Sequence, residues 1–328
     1  MPVCPSCKTS VPEEKHIETY IAPFNNQEYK LYHYPKCDLQ WWEPLKIVPE
    51  FYEKEGEEWY AIFHMGINQT IGENHKMFFK HMPLKSGRLL DVGCGDGVFI
   101  AEAQRRGYEV WGIDFDRKSI QVCQEKRGLK NTFAMTPWEF AEFCQKENLK
   151  FDIVTFFEVL EHQDRPREFL EAVKSMLKPG GWIAGSVPNR ESWLKSWADS
   201  VFNWDKPPNH FLRFSEACLR DFFYSQGFAE ITTYQVELKL SDISATIQYG
   251  LVNKNFIKNI KKQVLGSELA SEGNILHKQA SNTRRMFFKF LKITRDMILS
   301  PITIPIKYLT KGNPIYFQAT YGIKNEIT

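Results

Sequence analysis

The sequence has no run of about 20 apolar residues, so no membrane-spanning helix is expected. Its first residues, MPVCPSCKTSVPEEK, lack the apolar segment of a secretory signal. It has no G-x-x-x-x-G-K-[ST] loop, which argues against a P-loop nucleotide site. Its seven cysteines are odd in number and scattered, which excludes a disulfide framework. Internal repeats and low-complexity tracts are also missing. These absences lead to the expectation of a cytoplasmic protein, with any membrane contact peripheral. Neither sign of charge dominates, since the net charge is only +2. The charge is unevenly placed, however. Residues 1–85 carry 9 Lys and no Arg against 12 acidic residues, whereas residues 254–328 carry 13 basic against 4 acidic. Such a basic region suits either an anionic partner or a solvated helix face.

What is present is a sizeable core, with 43% apolar residues, and a repeating order of elements. RLLDV (88–92), YEVWGID (108–114), FDIVTFF (151–157) and WIAGSVPN (182–189) read as buried strands. Amphipathic stretches lie between them. One starts at Val98, one follows Pro137, and one begins at Asp164 and Pro166 and is stopped by Pro179-Gly180-Gly181. A further helix runs from Ser215 to about Gln226. This alternation predicts an α/β, Rossmann-like, doubly wound and mostly parallel sheet. The expected division is a small β-rich module over 1–45, a helical lid or linker over 46–84, a core over 85–239, a basic helical insertion over 240–312, and a final strand over 313–328.

Ligands of such sheets bind beyond the C-terminal ends of the strands. Asp91, Asp114 and Glu158 all fall at strand ends and would line one crevice. The glycine loop D-x-G-x-G-x-G follows the first strand. A phosphate would be repelled by Asp91, whereas an ammonium group would be attracted. Asp114 lies where a carboxylate meets ribose hydroxyls, and Gly93 and Gly95 allow close backbone approach.

LLDVGCGDGVF, GYEVWGID, FDIVTFFEVLEH, LKPGG and SVPN, in this order, resemble the motifs of class I S-adenosylmethionine (SAM) methyltransferases. They are similar to the small-molecule branch that includes ubiquinone-biosynthesis O-methyltransferases and sugar C-methyltransferases. The resemblance covers about residues 85–236 and implies a sheet of seven strands. It implies that Asp91, Gly93, Cys94 and Gly95 hold the methionine part of SAM and Asp114 its ribose, with Phe115, Phe157 and Glu158 near the nucleoside. It implies a small-molecule acceptor, with a sugar nucleotide or surface-glycan unit as the main expectation. The alternatives are a quinone or lipid-linked precursor methylated on oxygen, an rRNA, and a SAM-binding protein without turnover. DNA is excluded, because the [DNS]-P-P-[YF] of DNA amine methyltransferases is replaced by FEVL. RNA is disfavoured by the acidic N-terminal region.

Methyl transfer to oxygen benefits from a base. His162, in E-V-L-E-H, and His210, in DKPPNHFLRFS, are the candidate catalytic residues; each can instead serve as a structural cap or loop anchor. Tyr and Glu residues of 50–82 are further candidates. The E-x-x-E-H of Glu158, Glu161 and His162 is similar to one that holds a divalent metal in ubiquinone-type enzymes. Cys4-Pro-Ser-Cys7 is half of a zinc site. His33-Tyr-Pro-Lys-Cys37 supplies the other half if His33 replaces a cysteine, because Tyr34 stands where the common pattern has one. The expectation is a structural Zn²⁺ on Cys4, Cys7, His33 and Cys37; the alternative is a module that folds without metal. Residues 284–298 place Met286, Phe287, Phe290, Leu291, Ile293, Met297 and Ile298 on one stripe, with most basic residues elsewhere. This stripe either packs on the sheet or on a second subunit, or lies on an anionic membrane. The sequence carries no signal for oligomeric state.

Overall fold

The computed structural model describes residues 1–54, 64–66, 70–194, 203, 205–251 and 282–322. Parts of the expected lid (55–63, 67–69), of the insertion (252–281) and of the last segment (323–328) lie outside the described residues. The chain forms two units. The first comprises Met1–Arg190, Asp205–Val236 and Pro314–Thr328, and the second Glu191–Trp204 and Glu237–Asn313.

The first unit is built on two sheets. Its strands are β1 (Glu18–Ile21), β2 (Glu28–Tyr34), β3 (Leu39–Glu43), β4 (Gly87–Val92), β5 (Tyr108–Asp114), β6 (Thr132–Ala134), β7 (Phe151–Phe157), β8 (Leu177–Val187), β9 (Leu212–Arg213), β10 (Phe228–Gln235) and β11 (Ile315–Tyr321). The larger sheet has the order β10-β11-β8-β7-β4-β5-β6. β8, β7, β4, β5 and β6 pair in parallel, and β11 runs antiparallel between β8 and β10. β7 is apolar at nearly every position because helices cover both faces of a parallel sheet. The connecting helices are α1 (Pro49–Lys54), α2 (Glu73–His81), α3 (Val98–Arg105), α4 (Arg117–Arg127), α5 (Pro137–Lys146), α6 (Pro166–Met176) and α7 (Glu216–Ser225). Local chemistry sets their starts. Thr136 accepts from the Glu139 amide while Glu139 accepts from the Thr136 amide, and Pro137 occupies the first turn. Ser215 caps α7 through the Cys218 amide.

Two local expectations are corrected. Asp164 does not cap α6; its carboxylate accepts from the Ile47 amide instead. Leu177–Gly181 belongs to β8, so the helix stops at Met176 and the strand begins before Trp182.

The smaller sheet, β1-β2-β3-β9, is antiparallel. Residues 1–45 are thus joined to the core by a strand drawn from far along the chain. Trp41 and Trp42 are fully buried in this region. Arg190 pairs with Asp38, Arg167 donates to the Ser6 carbonyl at 3.0 Å, and Ser215 donates to Asp38 at 2.6 Å.

The second unit contains α8 (Leu240–Leu251) and the long α9 (Asn282–Leu309), which pack together.

Candidate active site

β4 ends in Asp91 and Val92, and the chain turns through Gly93, Gly95 and Gly97, all with φ between +52° and +76°. Gly93 has a second constraint: a Cβ there would lie 2.6 Å from Val159. The amides of Gly93 and Cys94 both donate to the Ile113 carbonyl, which ties the loop to the end of β5. The Cys94 side chain is buried beneath the loop beside Cys123. Cys94 therefore contributes backbone to the loop, and its thiol fills the core.

Two carboxylates stand at the strand ends. Asp91 is buried, and its Oδ1 accepts from the Thr155 hydroxyl at 2.7 Å. Burial pushes its pKa up to about 8, opposed by the Thr155 bond and reinforced by Asp114. Asp114 accepts from the amides of Gly95 and Asp116, each at 2.9 Å, and burial raises it to about 6 against those bonds. A buried carboxylate held above its ordinary value is stabilised by a cation placed beside it. Phe115 is exposed next to Asp114 and meets Tyr52 edge-on at 5.6 Å. Phe157 points into the core, 4.8 Å from Phe99 and 4.6 Å from His75.

Glu158, at the end of β7, has φ +54°, and its Oε1 accepts from Ser186 at 2.7 Å. Ser186 in turn accepts from Asn74 of α2 at 3.1 Å. Asn74 and His75, the latter pushed down to about 4 by burial, carry no motif and escaped the sequence reading.

Beyond Glu158 a short 3₁₀ turn, Leu160–His162, brings Glu161 and His162 against His210. The imidazoles of His162 and His210 meet edge-on at 4.6 Å. His162 Nδ1 lies 2.6 Å from the Asn209 carbonyl, so that nitrogen carries the proton and Nε2 keeps a lone pair. Tyr52 also reaches Nδ1, at 3.2 Å. Burial pushes His162 down to about 3 and keeps it neutral near pH 7. His210 Nδ1 lies 2.8 Å from the buried Asp205, whose other oxygen accepts from Arg213 Nε at 3.1 Å. Asp205 thereby fixes the tautomer with the lone pair of His210 on Nε2. Glu161, His162 and His210 each offer a ligand atom within 4.8 Å of the others. Glu158, expected in this set, is turned onto Ser186. Tyr52 and Asp205 join the site only through folding; a Tyr of the 50–82 segment was among the candidates, but Asp205 was not.

The thiols of Cys4, Cys7 and Cys37 converge, with Sγ separations of 3.3 Å from Cys4 to Cys37 and 3.6 Å from Cys37 to Cys7. Amides of Cys7 and Ser6 face the Cys4 sulfur, and that of Leu39 faces Cys37. His33 stands apart from the three, because its Nε2 is taken by Asp38 at 3.0 Å. The expected four-residue set is thus reduced to three thiols.

A family model described as "Methyltransferase domain" matches residues 67–233. Ubiquinone biosynthesis O-methyltransferase from Bordetella avium is 36% identical over 110 residues, 33% of this chain and 45% of that protein. The Bordetella bronchiseptica protein of the same name is 31% identical over 157 residues, 46% of this chain and 57% of that protein. The chain thus spans about half the length of these curated relatives. Phosphoethanolamine N-methyltransferase 2 of Haemonchus contortus, solved with SAM, shares the fold at TM-score 0.51 and 16% identity, covering 93% of this chain and 71% of that one. The glycine loop with its two raised carboxylates fits a ligand that brings an ammonium group and ribose hydroxyls. The chain therefore belongs to the methyltransferase-domain family.

Proposed function

We propose that the protein methylates a hydroxyl oxygen of a quinone-type or lipid-linked precursor. The observation that carries this reading is the group Glu161, His162 and His210, backed by Asp205. The names of the relatives favour it over the sugar-nucleotide acceptor expected first. Bound SAM supplies an electrophilic methyl on a sulfonium. Asp91 takes the ammonium of its methionine part and Asp114 the ribose hydroxyls, while the loop backbone at Gly93 and Gly95 lies against it.

On the acceptor side the chain has to remove a proton and hold the oxygen in line with the methyl. Asp205 holds the His210 imidazole through Nδ1, which leaves Nε2 to take the proton of the acceptor. Neutral His162 accepts a hydrogen bond through Nε2 and orients the acceptor. If a divalent cation were bound there instead, Glu161 and the two imidazole nitrogens would be its ligands rather than proton acceptors, and the ion would lower the pKa of the acceptor hydroxyl. The test presents labelled SAM with a prenylated catechol and, separately, with sugar nucleotides. Label recovered as an aryl methyl ether supports the reading, and label only in the sugar overturns it.

We also propose that Cys4, Cys7 and Cys37 bind a structural zinc ion. Three convergent sulfurs are a donor set that suits zinc, which displaces their protons on binding.

A further inference from the structure

Helix α9 of the second unit carries apolar side chains on two sides, unlike an ordinary surface helix. The side that packs within the unit sets Ile306 against Ile243 and Ile247 of α8, together with polar groups. Arg295 donates to the Ser241 carbonyl of α8 at 3.0 Å and pairs with Asp296 at 2.6 Å. Thr303 is fully buried, as is Ser244 of α8. The outer side is apolar. Phe290, Met297, Ile304 and Tyr308 form one row, and Leu291, Ile298, Ile302 and Leu309 form the row beside it. Met297 and Ile298 are each 70% exposed and Tyr308 is 82% exposed. Exposed side chains in two adjoining rows make a continuous strip rather than scattered surface residues. The expectation of a stripe buried on the protein is not met for these residues.

The charge of the surrounding sequence identifies what the strip meets. Residues 254–328 carry 13 basic residues against 4 acidic, and Lys292 is exposed on α9 itself. A second copy would bring the same positive charge against its twin. An anionic bilayer presents the opposite sign together with an apolar interior. No helix among the described residues is long and apolar enough to cross a membrane, so α9 would lie along the surface.

We infer that the second unit docks on an anionic lipid surface through the outer face of α9. Vesicle binding requires no methyl acceptor, so this inference goes beyond the acceptor reading and can fail separately from it. The experiment is sedimentation of the full chain with phosphatidylcholine vesicles, with and without phosphatidylglycerol. The expected result is binding to the anionic vesicles that is about tenfold or more stronger than to neutral ones and is weakened by salt. Met297→Glu with Ile298→Glu, and separately Tyr308→Glu with Leu309→Glu, should each reduce it about tenfold or more. These side chains are exposed, so the helical circular dichroism signal and its thermal melt should stay unchanged and report an intact second unit. Lys292→Glu should reduce the preference for anionic vesicles. Equal, weak sedimentation with both vesicle types would overturn the inference. So would a dimer in light scattering that Ile298→Glu converts to monomer, because a second copy would then cover the strip.

Discussion

Beneath the glycine loop, Asp91 and Asp114 are buried carboxylates pushed up to about 8 and about 6; beyond β7, His162 is a buried imidazole pushed down to about 3. One cause, removal from water, acts on both ends of the site and favours the neutral form in each. The outcomes serve opposite needs. A neutral or barely ionised acid recovers its charge when a cationic ligand arrives. A neutral imidazole keeps a lone pair for a proton, a hydroxyl or a metal. On the proposed reading the cofactor end is completed by its ligand's charge, whereas the acceptor end is built by the protein from Glu161, His162, His210 and Asp205.

The sharpest way to separate the two ends is to disable the acceptor side alone. His210→Gln is expected to lower kcat by about 10²–10⁴-fold, the range for loss of a general base, with SAM affinity unchanged by calorimetry. A loss of SAM binding instead would mean that the two ends are not independent. Asp91→Asn is the converse. It should weaken SAM binding on the order of a hundredfold, because a buried charge partner of the ammonium is lost, while turnover at saturating SAM changes less.

The raised carboxylates also predict a pH dependence with a definite sign. Folded Asp91 and Asp114 hold protons that the unfolded chain releases near 3.8. Their contribution to stability is complete below that value and is lost as pH rises through about 6 and about 8. Buried His162 and His75, held down to about 3 and about 4, act with the opposite sign below about 6.5, so the Tm of the ligand-free protein should fall between about 6.5 and about 8, and fall less in the Asp91→Asn variant. SAM binding near pH 7 should release protons, seen as a dependence of the binding heat on the ionisation heat of the buffer. A binding heat independent of buffer would show that Asp91 is already ionised.

The smallest expected effect lies in the N-terminal region. Cys37→Ser should lose the proposed zinc in a metal assay, whereas His33→Ala should retain it, since His33 is engaged by Asp38. Equal loss from both variants would restore histidine as a ligand.

Much of the cofactor end was legible because it is local. Gly93 and Gly95 follow β4 directly, Asp91 ends β4 and Asp114 ends β5, so a pattern of strand, turn and helix places them without knowledge of distant contacts. Cys94 shows the limit of that reading, since a position inside the motif does not say which way the side chain points. The acceptor end was legible only in fragments. His162 and His210 stood out as residue types, but Asp205 behind His210, Tyr52 against His162, and Asn74 on Ser186 come from segments that no periodicity links. The same holds for the N-terminal sheet, where the pairing of β3 with β9 joins residues 40–41 to 212–213.

The sequence by itself determined the alternation of strands and helices, the mostly parallel sheet and the glycine loop. These rest on hydrophobic period and on glycine's tolerance of positive φ, which act within a few residues. Only the tertiary structure decided that Glu161 rather than Glu158 joins the two histidines, that His33 turns to Asp38 and away from the cysteines, and that α9 faces an apolar side outward. Each of those is a choice between competing partners for one side chain. Such a choice depends on which groups folding brings within hydrogen-bonding or packing distance, and spacing along the chain does not encode that.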